Sequence, residues 1–300
     1  MFERILLPLD GSEIAETALP YGEELARILG SELILFHVHG QEHGRDYEHI
    51  HQTYLDRLAE TVAGNIRNDQ PKGKDVKVNI KIEAGEPTEN ICRLVEKNDF
   101  DLIIMAAVSA SGLKIGKMLG SVTDHVCRTV PIPIMLIRPQ RLNLNESKNR
   151  LINSILLPLD GSDLSKLALP AGEDLAEKLN VSITLFQMAN RIRPIYDASG
   201  NGANIDYSQF DEIEEQRVRV EMKVLEKELG EKGLKVSSFI TSGFDAADDI
   251  IETGKKVGAD LVIMSTHGRS GLGRWVFGNV AEKVLRHGET PVLLVHARAG

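Results

Sequence analysis

The sequence contains the same segment twice. The octapeptide ILLPLDGS at residues 5–12 recurs unchanged at residues 155–162, and ALP at residues 18–20 recurs at residues 168–170 with the same offset. Eight identical residues in the same order are very unlikely to match by chance. The 300-residue chain is therefore one domain written twice, and each copy has about the length of an ordinary domain. The two copies can be compared position by position.

The repeat continues to the end of each copy. DLIIM at residues 101–105 matches DLVIM at residues 260–264, and PIMLI at residues 133–137 matches PVLLV at residues 291–295. The growing offset indicates about eight additional residues in the second copy, which we place in the loop-like stretch 192–209. We expect a first domain at residues 1–140, a polar linker at residues 141–153 and a second domain at residues 154–300.

Composition excludes several classes of protein. The charged fraction of 26% and the apolar fraction of 42% are ordinary for a soluble protein. A net charge of −9 disfavours nonspecific binding to nucleic acid. No apolar run approaches the ~20 residues of a membrane helix, and Glu3 and Arg4 do not fit a signal peptide. Two cysteines are too few for a disulfide framework, and Cys92 and Cys127 match apolar residues in the other copy, so we expect buried thiols. The simplest prediction is a cytoplasmic protein that binds neither nucleic acid nor membrane.

Each copy alternates short β-rich runs with longer helical patterns. Runs such as LVIM at residues 261–264 are continuously apolar, as strands covered on both faces must be. The pattern predicts an α/β fold: two tandem, open, five-stranded, Rossmann-like parallel sheets with helices on both faces, in a flavodoxin-like or related strand order. In the second copy we expect strands at 154–159, 182–188, 235–241, 261–265 and 292–296, and helices near 163–179, 211–229, 246–257 and 280–286.

The first helix of each copy carries two local signals. Ser12 and Ser162 are suitable N-caps, because a serine hydroxyl accepts a bond from a backbone N–H of the first turn. Pro20 and Pro170 lie inside the helical pattern, and we expect them to kink it.

One loop of the second copy carries candidate chemistry. In open parallel sheets, ligands bind beyond the carboxyl ends of the strands where the strand order reverses. After the fourth strand, the sequence STHGRSGLGR at residues 265–274 leads to a helix near Gly278. A glycine-rich loop before a helix N-terminus presents backbone N–H groups to an anion, and Arg269 and Arg274 add positive charge. Asp160, after the first strand, is placed to accept a hydrogen bond from a ribose or adenine. The alternative interpretation is a simple tight turn.

Together these segments resemble the universal stress protein family over nearly the whole chain. The matching segments are PLDGS at 158–162, MSTHGRSG at 264–271, GNVAEKV at 278–284 and PV at 291–292. The family's ATP-binding pattern is Gly, two residues, Gly, nine residues, Gly, then Ser or Thr. Ser265, Gly268, Gly278 and Asn279 keep its spacing, although Ser265 and Asn279 change the residue type. Asn279 in place of Ser would keep a polar cap and its backbone N–H.

The resemblance implies an ATP site, with or without Mg²⁺, in the second domain. Pro158, Asp160 and Met188 would line the nucleoside pocket, with Met264 and Val280 beside them, and His267 would position the loop rather than act as a base. The full set of expected nucleotide-binding residues is Pro158, Asp160, Met188, Met264, Ser265, His267, Gly268, Arg269, Gly271, Gly278, Asn279 and Val280. The first copy reads AAVSASG at residues 106–112, so we expect weak binding or none there.

The sequence thus predicts a stress-response regulator that binds ATP in its second domain and has no dedicated catalytic machinery. Its protein partner is unknown. The resemblance implies that the last strands of the two domains pair within one chain and that two tandem chains form a homodimer. Two alternatives stay open: a nucleotide-independent interaction module, and a weak ATPase that uses His267, Arg269 and Arg274.

Histidines are concentrated in one stretch of the first copy. They are His37, His39, His43, His49 and His51, with Asp46 and Glu48 among them. Histidine is a common ligand for zinc and copper, and the spacing of His37 and His39 places both rings on one side of a strand. The alternative is a solvated loop that leads into a helix beginning near Tyr47.

Overall fold

The computed structural model describes residues 1–40, 45–68, 76–108, 119–139, 150–192, 207–266 and 277–296, except for the side chains of residues 45–48. Within these ranges, no helix is both long enough and apolar enough to cross a membrane.

The elements of the first domain are β1 (Arg4–Leu9), α1 (Glu13–Glu16), α2 (Leu19–Leu29), β2 (Glu32–His39), α3 (Arg45–Asn68), β3 (Val78–Ala84), α4 (Pro87–Lys97), β4 (Leu102–Ala106), α5 (Ser121–Thr129) and β5 (Ile134–Ile137). Those of the second domain are β6 (Ser154–Leu159), α6 (Asp163–Lys166), α7 (Leu169–Leu179), β7 (Ser182–Asn190), α8 (Ser208–Glu231), β8 (Lys235–Gly243), α9 (Ala246–Lys256), β9 (Leu261–Ser265), α10 (Asn279–His287) and β10 (Val292–Val295).

A single open sheet runs through both domains, in the order β3-β2-β1-β4-β5-β10-β9-β6-β7-β8. Within each domain the strands are parallel, whereas β5 and β10 pair antiparallel, with Leu136 opposite Val292. The predicted α/β fold with five parallel strands per domain in an open sheet is confirmed, and the predicted pairing of the last strands joins the two five-stranded halves into one sheet. The order within a domain, 3-2-1-4-5, is that of the Rossmann fold rather than flavodoxin.

The central strands, such as β6 and β9, are apolar on both sides because helices cover both faces of the sheet. Alternate residues of one strand enter different apolar clusters: Leu157 belongs to the cluster under α2, α3, α7 and α8. Its neighbour Leu156 belongs to the cluster under α4, α5, α9 and α10. Both clusters hold buried residues from both domains, so the core continues across the junction between β5 and β10.

The first helical segment of each domain differs from the prediction. Ser12 and Ser162 are N-caps as predicted, and Ser162 Oγ accepts a hydrogen bond from Ser165 N at 3.1 Å. The predicted kinked helix at residues 163–179 is wrong, because the chain forms the one-turn helix α6 and then the separate helix α7. Pro170 lies in the first turn of α7, and Pro20 lies likewise in α2. In a first turn the missing N–H of proline has no helical partner to lose, so proline begins these helices.

A buried carboxylate joins α2 to the start of the second domain. Glu24 accepts hydrogen bonds from Leu151 N at 2.7 Å and from Ile152 N at 3.1 Å. At the N-terminus of the chain, the carbonyl of Met1 accepts a hydrogen bond from Lys178 of α7 at 3.2 Å. Helices α2 and α7 thus each bind the backbone that enters the other domain.

Candidate functional site

The carboxyl ends of β6 and β9 form the topological switch point of the second domain. The two strands are parallel neighbours, with Ile155 opposite Leu261, and β6 pairs with β7 on its other side. Asp160 directly follows β6, and Ser265 is the last residue of β9. These two predicted site residues therefore lie at the same edge of the sheet, where open α/β sheets bind their ligands.

Asp160 is held by the turn that it begins. Its Oδ1 accepts hydrogen bonds from Ser162 N at 2.9 Å and from Ser162 Oγ at 2.6 Å. Gly161 adopts the left-handed backbone that this turn needs, with φ of 82°. Asp10 makes the same two bonds with Ser12 at the same distances. The turn fixes the orientation of the carboxylate in both domains, so it does not by itself distinguish a binding domain from a non-binding one.

Helix α10 begins at the same edge of the sheet, at the residue predicted for the phosphate end of the site. Gly278 is its N-cap, and Gly278 N donates to the carbonyl of Thr266 at 2.9 Å. Thr266 N in turn donates to the carbonyl of Val295 at 3.0 Å. Among the described residues no side chain caps this helix end. The positive end of the helix dipole is thus oriented toward the loop that precedes it.

Two further predicted residues of this helix lie at its surface. Asn279 is the first helical residue and is exposed, and Val280 is exposed by 38%. The expectation that Asn279 retains a side-chain cap is wrong, because Gly278 occupies the cap position. Only the backbone N–H of Asn279 remains as its contribution to an anion site.

The apolar residues predicted for the nucleoside pocket are buried in the strands that end at this edge of the sheet. Met188 and Met264 are buried in one cluster with Phe277. Pro158 is buried within β6, opposite Phe186 of β7. These side chains give the carboxyl edge of the sheet a dense apolar base. His267, Gly268, Arg269 and Gly271 lie in residues 267–276, outside the described residues.

The corresponding place in the first domain has a similar frame and different side chains. Gly120 is the N-cap of α5, and its N–H donates to the carbonyl of Ala107 at 3.0 Å. The hydrogen bond between the two ends of the loop is therefore present in both domains, although the loop of the first domain is one residue longer. Ala107 and Val108 are buried and apolar, where the second domain has Thr266. Residues 109–118 lie outside the described residues.

One contact near the site could not be found from the sequence. Arg128 of α5 lies with its guanidinium carbon 4.7 Å from the centroid of the Phe277 ring, which immediately precedes the cap of α10. Next to it, Nε2 of His296 lies 2.8 Å from the carbonyl oxygen of Cys127. Both contacts join the two domains. No local motif signals them, because the partners are far apart in the chain.

The histidine stretch is partly brought together. His37, His39 and His51 lie in one cluster at the end of β2, whereas His49 is exposed on α3. His43 and the side chains of Asp46 and Glu48 fall outside the description. The helix begins at Arg45, two residues before the predicted start. In the described part of the chain, no three His, Cys, Asp or Glu side chains are already arranged as a metal site.

Comparison with known proteins agrees with this fold. The model of the universal stress protein family matches residues 1–138 and again residues 152–296. Universal stress protein Slr1230 from Synechocystis is 24% identical, over 97% of this chain and 99% of its own length. Universal stress protein MJ0531 from Methanocaldococcus jannaschii is 28% identical over 145 residues, 48% of this chain and 82% of that protein. A universal stress protein structure from Archaeoglobus fulgidus has the same fold, with a TM-score of 0.70 and 20% identity over 99% of both chains. With two matches that together span most of its length, the chain belongs to the universal stress protein family.

Proposed function

We propose that this chain is a stress-response regulator that binds ATP in its second domain. The observation that carries the proposal is the start of α10, where Gly278 N donates to the carbonyl of Thr266 at the sheet edge that also holds Asp160. A helix N-terminus without a side-chain cap among the described residues leaves its first backbone N–H groups for an anion. The fixed carboxylate of Asp160 supplies an acceptor at the same edge of the sheet.

The chemistry of the site suits the two ends of a nucleotide. Phosphate oxygens would accept from the N–H groups of α10 and of the loop with Gly268 and Gly271, while Arg269 balances their charge. A ribose hydroxyl would donate to Asp160, and the base would lie over the floor of Met188 and Met264. Mg²⁺, where present, would help to balance the negative charge of the phosphates.

The first domain retains the frame of such a site without its polar lining. Its loop starts with the buried apolar residues Ala107 and Val108, which offer no side-chain hydrogen bond to a nucleotide. We therefore expect one nucleotide per chain. Binding would favour one conformation of the loops at this edge, and a protein partner would read that conformation. Action in the cytoplasm and association of two chains belong to the same proposal, and light scattering tests the association directly.

Calorimetric titration with ATP and Mg²⁺ tests the nucleotide site, with the two equivalent aspartates as matched variants. Asp160→Ala removes the two hydrogen bonds with Ser162, and Asp10→Ala removes the same two bonds with Ser12. We expect one site per chain in the wild type. Asp160→Ala should weaken binding by about tenfold, the effect of one hydrogen bond to a charged group, and Asp10→Ala should leave it unchanged.

Each other outcome contradicts a defined part of the proposal. Two sites per chain would show that the first domain binds nucleotide despite its apolar loop. Equal losses in both variants would mean that the turn acts through folding rather than through the ligand. Absence of heat, confirmed by equilibrium dialysis, would remove nucleotide binding and favour the interaction module. Phosphate release well above background, abolished by His267→Ala, would instead favour the ATPase.

A further inference from the structure

Three imidazole rings are collected where β2 ends against α3. His37 and His51 have ring centroids 4.6 Å apart, and His39 stacks on His51 at 5.2 Å with an angle of 9° between the rings. His37 is buried, with 4% of its surface exposed, while the other two are half-buried. The cluster lies in the first domain, and its residues have no part in the proposed nucleotide site.

The hydrogen bonds of His37 determine which of its nitrogens holds a lone pair. Nδ1 lies 2.8 Å from the carbonyl oxygen of Leu9, which can only accept, so Nδ1 carries the proton. In the neutral ring, Nε2 then accepts a hydrogen bond from Nδ1 of His51 at 2.9 Å, and an ion bound to both nitrogens would take the place of that proton. Metal-ligating histidines commonly donate their other N–H to a backbone carbonyl, as His37 does to Leu9, and that bond fixes the tautomer.

The separation of the two nitrogens fits a shared metal ion. Bonds of about 2.0–2.1 Å from a zinc ion to each nitrogen would span 2.9 Å at roughly a right angle, and a small outward shift gives the tetrahedral angle. His39 is two residues from His37 on the same strand, so its ring lies on the same side of the sheet. Its Nδ1 lies 3.1 Å from the carbonyl of Gly40, and rotation of this side chain would bring a third nitrogen to the ion.

The surroundings add negative charge near the cluster. Tyr54 packs edge-on to His37 at 6.3 Å, and its hydroxyl donates to Glu16 Oε1 at 2.7 Å. The carboxylate of Glu16 is therefore held beside the Tyr54 side chain that packs against His37. A negative charge near the cluster favours the binding of a cation there.

The fold itself does not require histidines here. The strand registers pair Leu9 with His37 in the first domain and Leu159 with Gln187 in the second. Gln187 is fully buried, and its amide has no hydrogen-bond partner among the described residues. Two residues on, the second domain has Ala189 in place of His39. The same architecture therefore forms with a poorly satisfied amide and a methyl group, which makes three clustered imidazoles a specific property of the first domain.

We propose that His37, His39 and His51 bind one divalent transition-metal ion of the zinc and copper class. The two facing nitrogens of His37 and His51 form the core of the site, and His39 with water completes the coordination. Neutral imidazoles suit these borderline ions and not magnesium or calcium, which prefer oxygen ligands. The nucleotide-loop frame of the first domain would then stand beside a metal site instead of a phosphate site.

Titration of chelator-treated full-length protein, without nucleotide, tests this site. ZnCl₂ is followed by calorimetry, and CoCl₂ by the visible absorption bands that four-coordinate cobalt gives. We expect one ion per chain, with affinity reduced about tenfold or more by His37→Gln or by His51→Ala. His287→Ala, which removes an exposed histidine on α10, should leave the affinity unchanged.

The variants also distinguish a built site from surface binding. His37→Gln places in the first domain the residue that the second domain tolerates at the same register. If that variant does not fold, as judged by circular dichroism, His39→Ala and His51→Ala, which change half-buried residues, decide the result. No saturable binding, or equal affinity in the wild type and the cluster variants, would overturn the proposal. Because nucleotide is absent throughout, failure here leaves the proposed ATP site untouched, and the reverse also holds.

Discussion

The guanidinium of Arg128 rests on the ring of Phe277, with 4.7 Å between its central carbon and the ring centroid. Arg128 also makes two hydrogen bonds of 3.0 Å to Asp124 of its own helix. The bond to Asp124 and the charge of Glu282 in the second domain raise the pKa of Arg128. The first domain thus positions the residue directly before the cap of α10, where the proposed phosphate site begins.

Arg128→Ala should lower the free energy of unfolding by about 1 kcal/mol more than Arg286→Ala does. This difference is the typical strength of a partly shielded cation–π contact. The two variants are matched, because Arg286 makes the same i,i+4 ion pair with Glu282 on α10. The difference between them measures the contacts that Arg128 makes across the domain junction, with the Phe277 ring and with the charge of Glu282. Urea denaturation followed by circular dichroism measures it. Equal losses in the two variants would mean that the Phe277 contact adds nothing beyond the ion pair.

Glu24 provides a pH-dependent prediction. Burial raises the pKa of its carboxyl above the ordinary value of 4.5, against the lowering effect of the bonds from Leu151 N and Ile152 N. The stabilising contribution of an acid with a raised pKa is largest below the unfolded-state pKa and falls as pH rises through the folded-state pKa. The free energy of unfolding of the wild type, relative to Glu24→Gln, should therefore decrease as pH rises from about 4.5 toward neutrality.

Glu24→Ala tests the same contact at constant pH. Loss of both acceptors leaves one part-buried and one buried N–H group without their partner, so we expect a cost of about 1–3 kcal/mol. Glu60→Gln is the control for both experiments, since Glu60 is exposed on α3. A pH dependence as large for Glu60→Gln as for Glu24→Gln would assign the effect to the overall charge of the chain rather than to the buried carboxylate.

Most of the fold could be predicted because it depends on local patterns that the two copies repeat. Strands β6 and β9 have the predicted bounds, and the strand runs are recognisable because both of their faces are buried. The break before Pro170 was misjudged, since the hydrophobic spacing continues across it and the pattern alone does not show where the hydrogen bonds stop. The antiparallel pairing of β5 with β10 followed from the family resemblance and not from any property of the strands themselves.

The site was less predictable than the fold. Glycine spacing located Gly278, but it suggested Asn279 as a polar cap, a role that backbone geometry gives to Gly278. Contacts such as that of Arg128 with Phe277 depend on how two domains dock, and a single sequence contains no signal for them. The histidines were visible as a cluster, whereas the tautomer that makes His37 a candidate ligand requires the position of the Leu9 carbonyl.

Both thiols should be protected from modification in the folded protein. Cys92 and Cys127 are buried and free, as the comparison of the copies predicted. Burial raises the pKa of each thiol, so little reactive thiolate exists near neutral pH. Labelling with a chromogenic disulfide reagent at pH 8 should be slow for native protein and fast in denaturant. Cys92→Ala and Cys127→Ala variants assign the rates, and Cys127, exposed by only 1%, should be the slower. Rapid labelling of native Cys127 would contradict its burial.

Two glycines give opposite predictions for the same added methyl group. Gly64 lies within α3, and a Cβ placed there would meet no atom within 4 Å. Gly64→Ala should raise the free energy of unfolding by about 0.5–1 kcal/mol, because alanine loses less backbone entropy in a helix. Gly11 has equally open surroundings but a φ of +83° in the turn after Asp10.

Gly11→Ala should therefore lower the free energy of unfolding by about 1–2 kcal/mol, since an L-residue is strained in the left-handed region. Neither substitution creates a clash, so the difference in sign isolates backbone conformation from packing. Urea denaturation of both variants under one condition measures it. Stabilisation by Gly11→Ala would show that the turn around Asp10 relaxes without cost, and that the rigid carboxylate geometry shared by Asp10 and Asp160 is not maintained by this backbone.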